Sequence, residues 1–278
     1  MTQDKRPDPK PRKHPHLWQA YLWWDELMQM RKRHNLRISS IEAEKSNLDA
    51  QFERDMMETV HLDLLIDTAQ KQMVGFGGLV GPVWEWLVSI KGIGDHSAAK
   101  LLAQFDDVGK FATVSKFWRF SGWGLDENKQ IDRCRKGEKS PYNRRLKSEC
   151  YLIAENFVRH QTPIYVDIYY AEKDHQRRKH PDVICTKCDG IGEQVGQKWR
   201  CSECKQANSN RALMFTPGHL DARAKRKMIK IFLQHLWVIW RESEGLPVSE
   251  PYVQAVLGHT HIIDYTMVVN NVSTLPKD

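Results

Sequence analysis

The residues best placed to do chemistry are four cysteines. Cys185-Thr186-Lys187-Cys188 and Cys201-Ser202-Glu203-Cys204 are two C-x-x-C turns separated by twelve residues. Each turn brings two soft thiolates to one point, and two turns close a tetrahedron that suits Zn2+ and leaves no position for water. The expected site is therefore a structural zinc ribbon over residues 181–208, with Cys185, Cys188, Cys201 and Cys204 as ligands. A redox pair is the competing use of C-x-x-C, but no thioredoxin-like βαβ pattern surrounds either turn. Disulfides are disfavoured because nothing marks the chain as secreted. Of the other cysteines, Cys134 stands alone. Cys150 falls with Leu146, Ile153 and Phe157 on the inward stripe of a helix expected from Asn143 to His160.

A second constellation is Lys91-Gly92-Ile93-Gly94. It follows a short apolar helix carrying Trp84, Leu87, Val88 and Ile90, and it precedes a second helix with Ala98 and Lys100. A Gly-apolar-Gly turn between two helices is the helix-hairpin-helix pattern. Glycine tolerates positive φ and close approach, so backbone N–H groups at the start of the second helix can cradle a phosphate with help from the helix dipole. Such a contact positions a nucleic-acid backbone and reads no sequence. The expected contacts are Lys91, Gly92, Ile93, Gly94 and Lys100. A basic stretch follows, with Arg133, Arg135, Lys136, Lys139, Arg144, Arg145 and Lys147, as an extension of that surface. A plain solvated loop is the alternative use of the same charges.

The elements that must position these residues are read from periodicity. The 278 residues carry 42 Lys+Arg against 35 Asp+Glu, a formal +7, so a polyanion is the first partner to consider. Apolar residues make up 41% and tryptophans number ten, which excludes a chain disordered throughout. No apolar run is long enough to span a membrane, and residues 1–16 read as a basic, proline-rich tail without a signal-peptide core. Residues 17–75 have almost no glycine or proline. Leu17, Tyr21, Trp24 and Met28, then Ile38, Ile41, Leu48, Phe52, Met56 and Val60, recur at helical spacing, so two long helices are expected as a hairpin or coiled-coil stalk. The bend is expected at His34-Asn35-Leu36 with Ser39 and Ser40 as caps, and the stalk is a candidate for homodimerisation. After the ribbon, His219 to Glu244 reads as an amphipathic helix with Met228, Phe232, His235, Leu236 and Ile239 inward and five cations near its start. The fold class is mostly α: a stalk, then a helix-hairpin-helix domain over 80–180 and 210–262 with the ribbon inserted, then a tail over 263–278.

With these motifs placed, residues 84–160 resemble the C-terminal domain of the DEDD transposase family, which includes Piv-type invertases and bridge-RNA-guided insertion-sequence recombinases. The hairpin turn, the spacing of Phe111, Ser115, Phe117, Phe120, Gly122 and Leu125, and the later Ser140-Pro141-Tyr142-Asn143-Arg144-Arg145-Leu146-Lys147 carry the resemblance. The stalk is similar in position to the family's coiled coil, and Ala222–Trp240 is similar to its terminal helix. The resemblance implies a DNA-binding protein of transposition or recombination, cytoplasmic in a bacterial or phage setting and nucleoid-associated when bound. Structured RNA is a further candidate partner. The family's RuvC-like nuclease domain, with four acidic metal ligands, would precede the stalk, where only residues 1–16 stand. The family's nucleophilic serine motif is replaced by Asp126–Asp132. Ser140 is left as a weak catalytic candidate with no base beside it. A split recombinase served by a separate nuclease subunit and a non-catalytic assembly protein are the alternatives.

Overall fold

A computed structural model describes residues 11–43, 47–59, 61–125, 134–207 and 212–248. Arg133, Val60, residues 126–132 and the 263–278 tail lie outside the described residues. The described residues fall into two compact units, one within 1–89, 93–112 and 240–247, the other within 90–92, 113–239 and 248–278. Among them no helix is long and apolar enough to cross a membrane.

The first unit is helical throughout. α1 (Pro15–Ala43), α2 (Asn47–Thr59) and α3 (Leu62–Gly78) form the stalk, followed by α4 (Pro82–Ser89) and α5 (Asp95–Phe105). The expected bend at 34–36 is absent: α1 runs through it, and Ser39 and Ser40 are interior helical residues. That interval holds no proline or glycine, and His34 and Arg37 on the continuous helix reach Glu53 of α2 at 3.3 and 2.9 Å. α2 also presents the opposite face from the one expected. Ala50 and Glu53 are its buried positions, whereas Leu48, Phe52 and Met56 are 84%, 64% and 45% exposed. The core of the stalk is instead Leu27, Leu62, Ile66 and Ala69, with Trp23, Trp24, Met28 and Met57 against it.

Glycines at the end of α3 do not stop the helix early. A Cβ on Gly77 would lie 2.5 Å from the Trp84 ring, so the missing side chain lets α4 pack directly on α3. The stalk and hairpin helices consequently share one unit, where the sequence suggested a boundary near residue 80. Residues 12–14, expected in the leading tail, are also held here. The His14 N–H donates to Asp106 Oδ1 at 3.2 Å, Lys13 pairs with Glu244, and the Arg12 guanidinium lies 3.5 Å over the Trp18 ring.

The second unit contains α6 (Val114–Phe120), α7 (Arg144–Arg159), α8 (Tyr165–Lys179), the strands β1 (Ile184–Cys185), β2 (Gly192–Val195), β3 (Lys198–Cys201) and β4 (Leu213–Met214), and most of α9 (Pro217–Ser243). Asn143 caps α7 by accepting the Leu146 N–H at 3.1 Å. The stripe Leu146, Cys150, Ile153 and Phe157 is fully buried, as its spacing predicts. Phe157 stacks on Tyr165 at 4.7 Å, and Phe232 of α9 meets both rings edge-on. The Tyr165 hydroxyl reaches His235 Nδ1 at 3.0 Å, which satisfies the two polar groups in this aromatic core. Burial pushes the Cys150 thiol far up, so it is an inert core residue.

Candidate metal centre and phosphate-contacting elements

The ribbon grows from two equivalent turns. In the first, the residue after the second cysteine, Asp189, takes φ +55°, and the Cys185 N–H donates to Gly190 O at 2.9 Å. In the second, Lys205 takes φ +58° and the Cys201 N–H donates to Gln206 O at 2.9 Å. The left-handed residue in each turns the chain back so that both sulfurs point the same way. β1 pairs with β4 and β2 with β3, all antiparallel, and Val183, Cys185, Cys201 and Leu213 form a small core with Trp199 against it. Trp199 thus packs against the ribbon core. Gly190 is the residue the sequence reading overlooked: a Cβ there would come within 3.0 Å of Cys201 Sγ. Its signal was a glycine two residues beyond the first knuckle's second cysteine.

All four sulfurs lie within 4.8 Å of one another, with Cys185 to Cys204 at 3.6 Å and Cys188 to Cys201 at 3.4 Å. A tetrahedral ion with metal–sulfur bonds of about 2.3 Å requires sulfur separations of about 3.8 Å. The donor set fits such an ion, and the four cysteines are placed to hold one. Their electrostatics agree. A Gly190 backbone contact favours the Cys188 thiolate, yet the crowding thiols of Cys201 and Cys204 push it up to about 12. Cys201 is penalised by burial but drawn down to about 7 by the backbone N–H groups of Cys204 and Glu203. Thiolates this close repel one another, so the four sulfurs ionise together only with a cation among them.

The hairpin divides its two glycines between different tasks. Gly92 takes φ +94°, as expected, but its close approach is internal. A Cβ there would meet Thr162 Oγ1 at 3.2 Å, while the Thr162 hydroxyl donates to Lys91 O at 2.7 Å and Asn156 Nδ2 to Gly92 O at 3.4 Å. The turn is pinned by the α7–α8 connection. Gly94 is extended at φ −89°, exposed, and has nothing within 4 Å of an added Cβ. It stands at the N-cap of α5 with no side-chain cap, which leaves first-turn N–H groups to an outside acceptor. Asp95 in that turn offsets part of the dipole. Ile93 is buried, so only its backbone is available, and Lys100 lies 5.3 Å from the Trp24 ring. His96 brings no positive charge: burial, then the neighbouring Lys100, holds its imidazole down at about 4.

In the second unit, Arg135, Lys136 and Lys139 are exposed before α7, and Arg144 and Arg145 occupy its first turn, where no acidic residue stands. Arg135 approaches Glu138 at 3.8 Å. The Lys147 ammonium lies 4.2 Å over the Tyr142 ring. Gly122 permits that packing, because a Cβ at its φ of +78° would sit 2.8 Å from both side chains. The Ser140 hydroxyl donates to Tyr142 O at 2.7 Å and lies 3.3 Å from Cys134 Sγ. No imidazole or carboxylate is among its partners within the described residues.

Residues 85–170 match the sequence model of the Transposase IS116/IS110/IS902 family. The match runs from α4, through the hairpin turn and the Arg144–Arg145 turn, into α8, and it ends before the cysteine ribbon. The resemblance read over 84–160 is borne out for this segment, and the match supports a transposase-related role. Comparison with curated proteins and with solved structures returned no match.

Proposed function

We propose that the protein binds DNA through sequence-independent phosphate contacts during transposition or recombination, and that its ribbon holds one structural Zn2+. The observation that carries the DNA reading is the family match across the hairpin. Two features of the chain support it. The uncapped start of α5 at Gly94 offers N–H donors to a phosphate, with Lys91 exposed beside it in sequence. Arg144 and Arg145 stand at the positive end of α7, where cations oppose the helix dipole and an outside anion relieves both. Four thiolates leave no open coordination position, so the zinc organises the ribbon and activates no water.

Because Ser140 hydrogen-bonds to a carbonyl and a thiol, the reading is binding rather than strand transfer by this chain. A separate nuclease subunit is the partner that a split recombinase would need. The outward stripe Leu48, Phe52 and Met56 suits a second copy of the chain, the homodimer expected of the stalk.

The test is a salt titration of binding to duplex DNA, branched DNA and structured RNA. Affinity for DNA falls linearly in log–log form as counterions are released, by orders of magnitude between 50 and 200 mM salt if several phosphates are contacted. Gly94→Val, whose Cβ meets nothing within 4 Å, lowers it. Affinity that is flat with salt, or untouched by Gly94→Val, rejects the reading. Binding to RNA alone reassigns the partner.

A further inference from the structure

Five cations fall within eight residues of α9, and their surroundings divide them. Lys225 Nζ lies 2.7 Å from Glu155 Oε1 and 2.8 Å from Asp221 Oδ2, and Lys227 Nζ lies 2.7 Å from Glu172 Oε2. These two are neutralised within the fold. Arg223, Arg226 and Lys230 stand at i, i+3 and i+7, one face of the helix, and among the described residues none has a carboxylate within 4.0 Å. Arg223 lies 5.6 Å from the Phe215 ring. Arg226 Nη2 donates to the carbonyls of Gly124 at 3.0 Å and Trp123 at 3.3 Å. Lys230 Nζ sits 4.0 Å over the Trp118 ring, whose Nε1–H donates to Lys230 O at 2.9 Å.

All three are half-buried. Carbonyl dipoles and ring faces hold them in place without cancelling their charge. Burial, then the neighbouring Arg226, brings the Lys230 amine down to about 8, and burial followed by Arg223 lowers Arg226. Half-buried cations are ordinarily paired, and three in a row with no carboxylate beside them among the described residues are costly unless an anion arrives from outside. Seven residues of helix span about 10.5 Å, comparable to the rise along a duplex axis of about three phosphates of one strand at about 3.4 Å each.

We propose that Arg223, Arg226 and Lys230 form a phosphate-binding stripe that tracks consecutive phosphates of a nucleic-acid strand. This rests on the nucleic-acid reading above but uses residues outside the family match and independent of the hairpin. Binding places anions beside the Lys230 amine and requires it protonated, so the free protein takes up a proton there when it binds at alkaline pH.

The test uses the full chain with labelled single-stranded and duplex oligonucleotides, inorganic pyrophosphate and an acidic peptide as probes, between pH 7 and 9.5. Thermal unfolding checks that each variant is folded. Wild-type affinity for oligonucleotide declines above pH 8 by up to about tenfold per pH unit. Lys230→Arg, which keeps the charge, matches wild type at pH 7 and is flat with pH. Arg226→Met with Lys230→Met weakens binding at least tenfold and lowers the salt exponent by about two. A double variant with wild-type affinity and salt exponent overturns the stripe and leaves the DNA reading standing. Failure of every oligonucleotide overturns both. Response to pyrophosphate or the acidic peptide alone overturns strand tracking in favour of that anion. Should Asp126→Asn with Glu127→Gln abolish the pH dependence, those carboxylates, next in sequence after Leu125, are the counter-charge and the stripe is not a ligand site.

Discussion

Lys230 offers a prediction in which stability and binding move in opposite directions. Its amine falls from an ordinary value near 10.5 to about 8. At about 1.36 kcal/mol per pH unit, keeping it charged at neutral pH costs the native state up to about 3.4 kcal/mol. Lys230→Met removes that cost and fills the same volume with an apolar chain, while losing a cation–π contact with Trp118 worth about 1 kcal/mol. With solvent screening at the half-buried site, the variant should be more stable than wild type by about 1–2 kcal/mol at pH 7. The sign with pH follows from proton counts. Between about pH 8 and 10.5 the unfolded chain still holds the lysine proton and the native state has released it, so wild-type stability rises with pH through that window. The penalty is fully present below pH 8, and the advantage of Lys230→Met shrinks as pH rises. Urea denaturation followed by tryptophan fluorescence at pH 7 and pH 9.5 measures both quantities. A variant less stable than wild type at pH 7, or one with the same advantage at both pH values, would refute the idea that this cation is uncompensated.

Three further outcomes are expected. Gly92→Ala forces a side chain to φ +94° against Thr162 and should cost about 1–2 kcal/mol, whereas Gly94→Ala should leave the urea midpoint almost unchanged; equal effects would remove the distinction drawn between the two glycines. The purified protein should contain one zinc per chain, and Cys188→Ser or a chelator should release it and unfold 181–208, seen as new protease cleavage there while the α7–α9 core persists. Phe52→Glu, at a 64% exposed position, should leave stability within about 0.5 kcal/mol and shift any dimer to monomer in sedimentation; unfolding instead would mean that α2 buries this face within its own chain.

What could be read from the sequence follows the range of the interactions involved. The cysteine turns and the inward stripes of α7 and α9 are local patterns, and each lies where its spacing puts it. The stalk shows the limit. Leu48, Phe52 and Met56 have faultless helical spacing, but period alone cannot say whether a stripe faces its own core, and the place beneath α2 is taken by Glu53 bound to His34 and Arg37. The bend at 34–36 failed for a related reason. A polar interval reads as a break, yet with no proline or glycine the helix continues, and distant partners make use of its polar side chains. The positive φ of Gly92 follows from its own sequence, but its partners do not, since Thr162 and Asn156 lie some seventy residues downstream.

The same reasoning applies to charge. A formal +7 counts every lysine and arginine alike, and the run at 223–230 looks like one basic patch. In the fold, Glu155 and Glu172 arrive from α7 and α8 and remove Lys225 and Lys227 from that patch, with Asp221 divided between Lys225 and Lys173. The cations left over are those whose helix face meets aromatic rings and backbone carbonyls, surfaces that hold a charge without cancelling it. Their i, i+3, i+7 spacing was visible from the start, but which of the interleaved sets stays unpaired depends on carboxylates up to seventy residues away. For a basic helix packed on others, the informative quantity is therefore charge per face after pairing. On α9 that quantity singles out one face, 223–226–230, as the place where an anion contributes most.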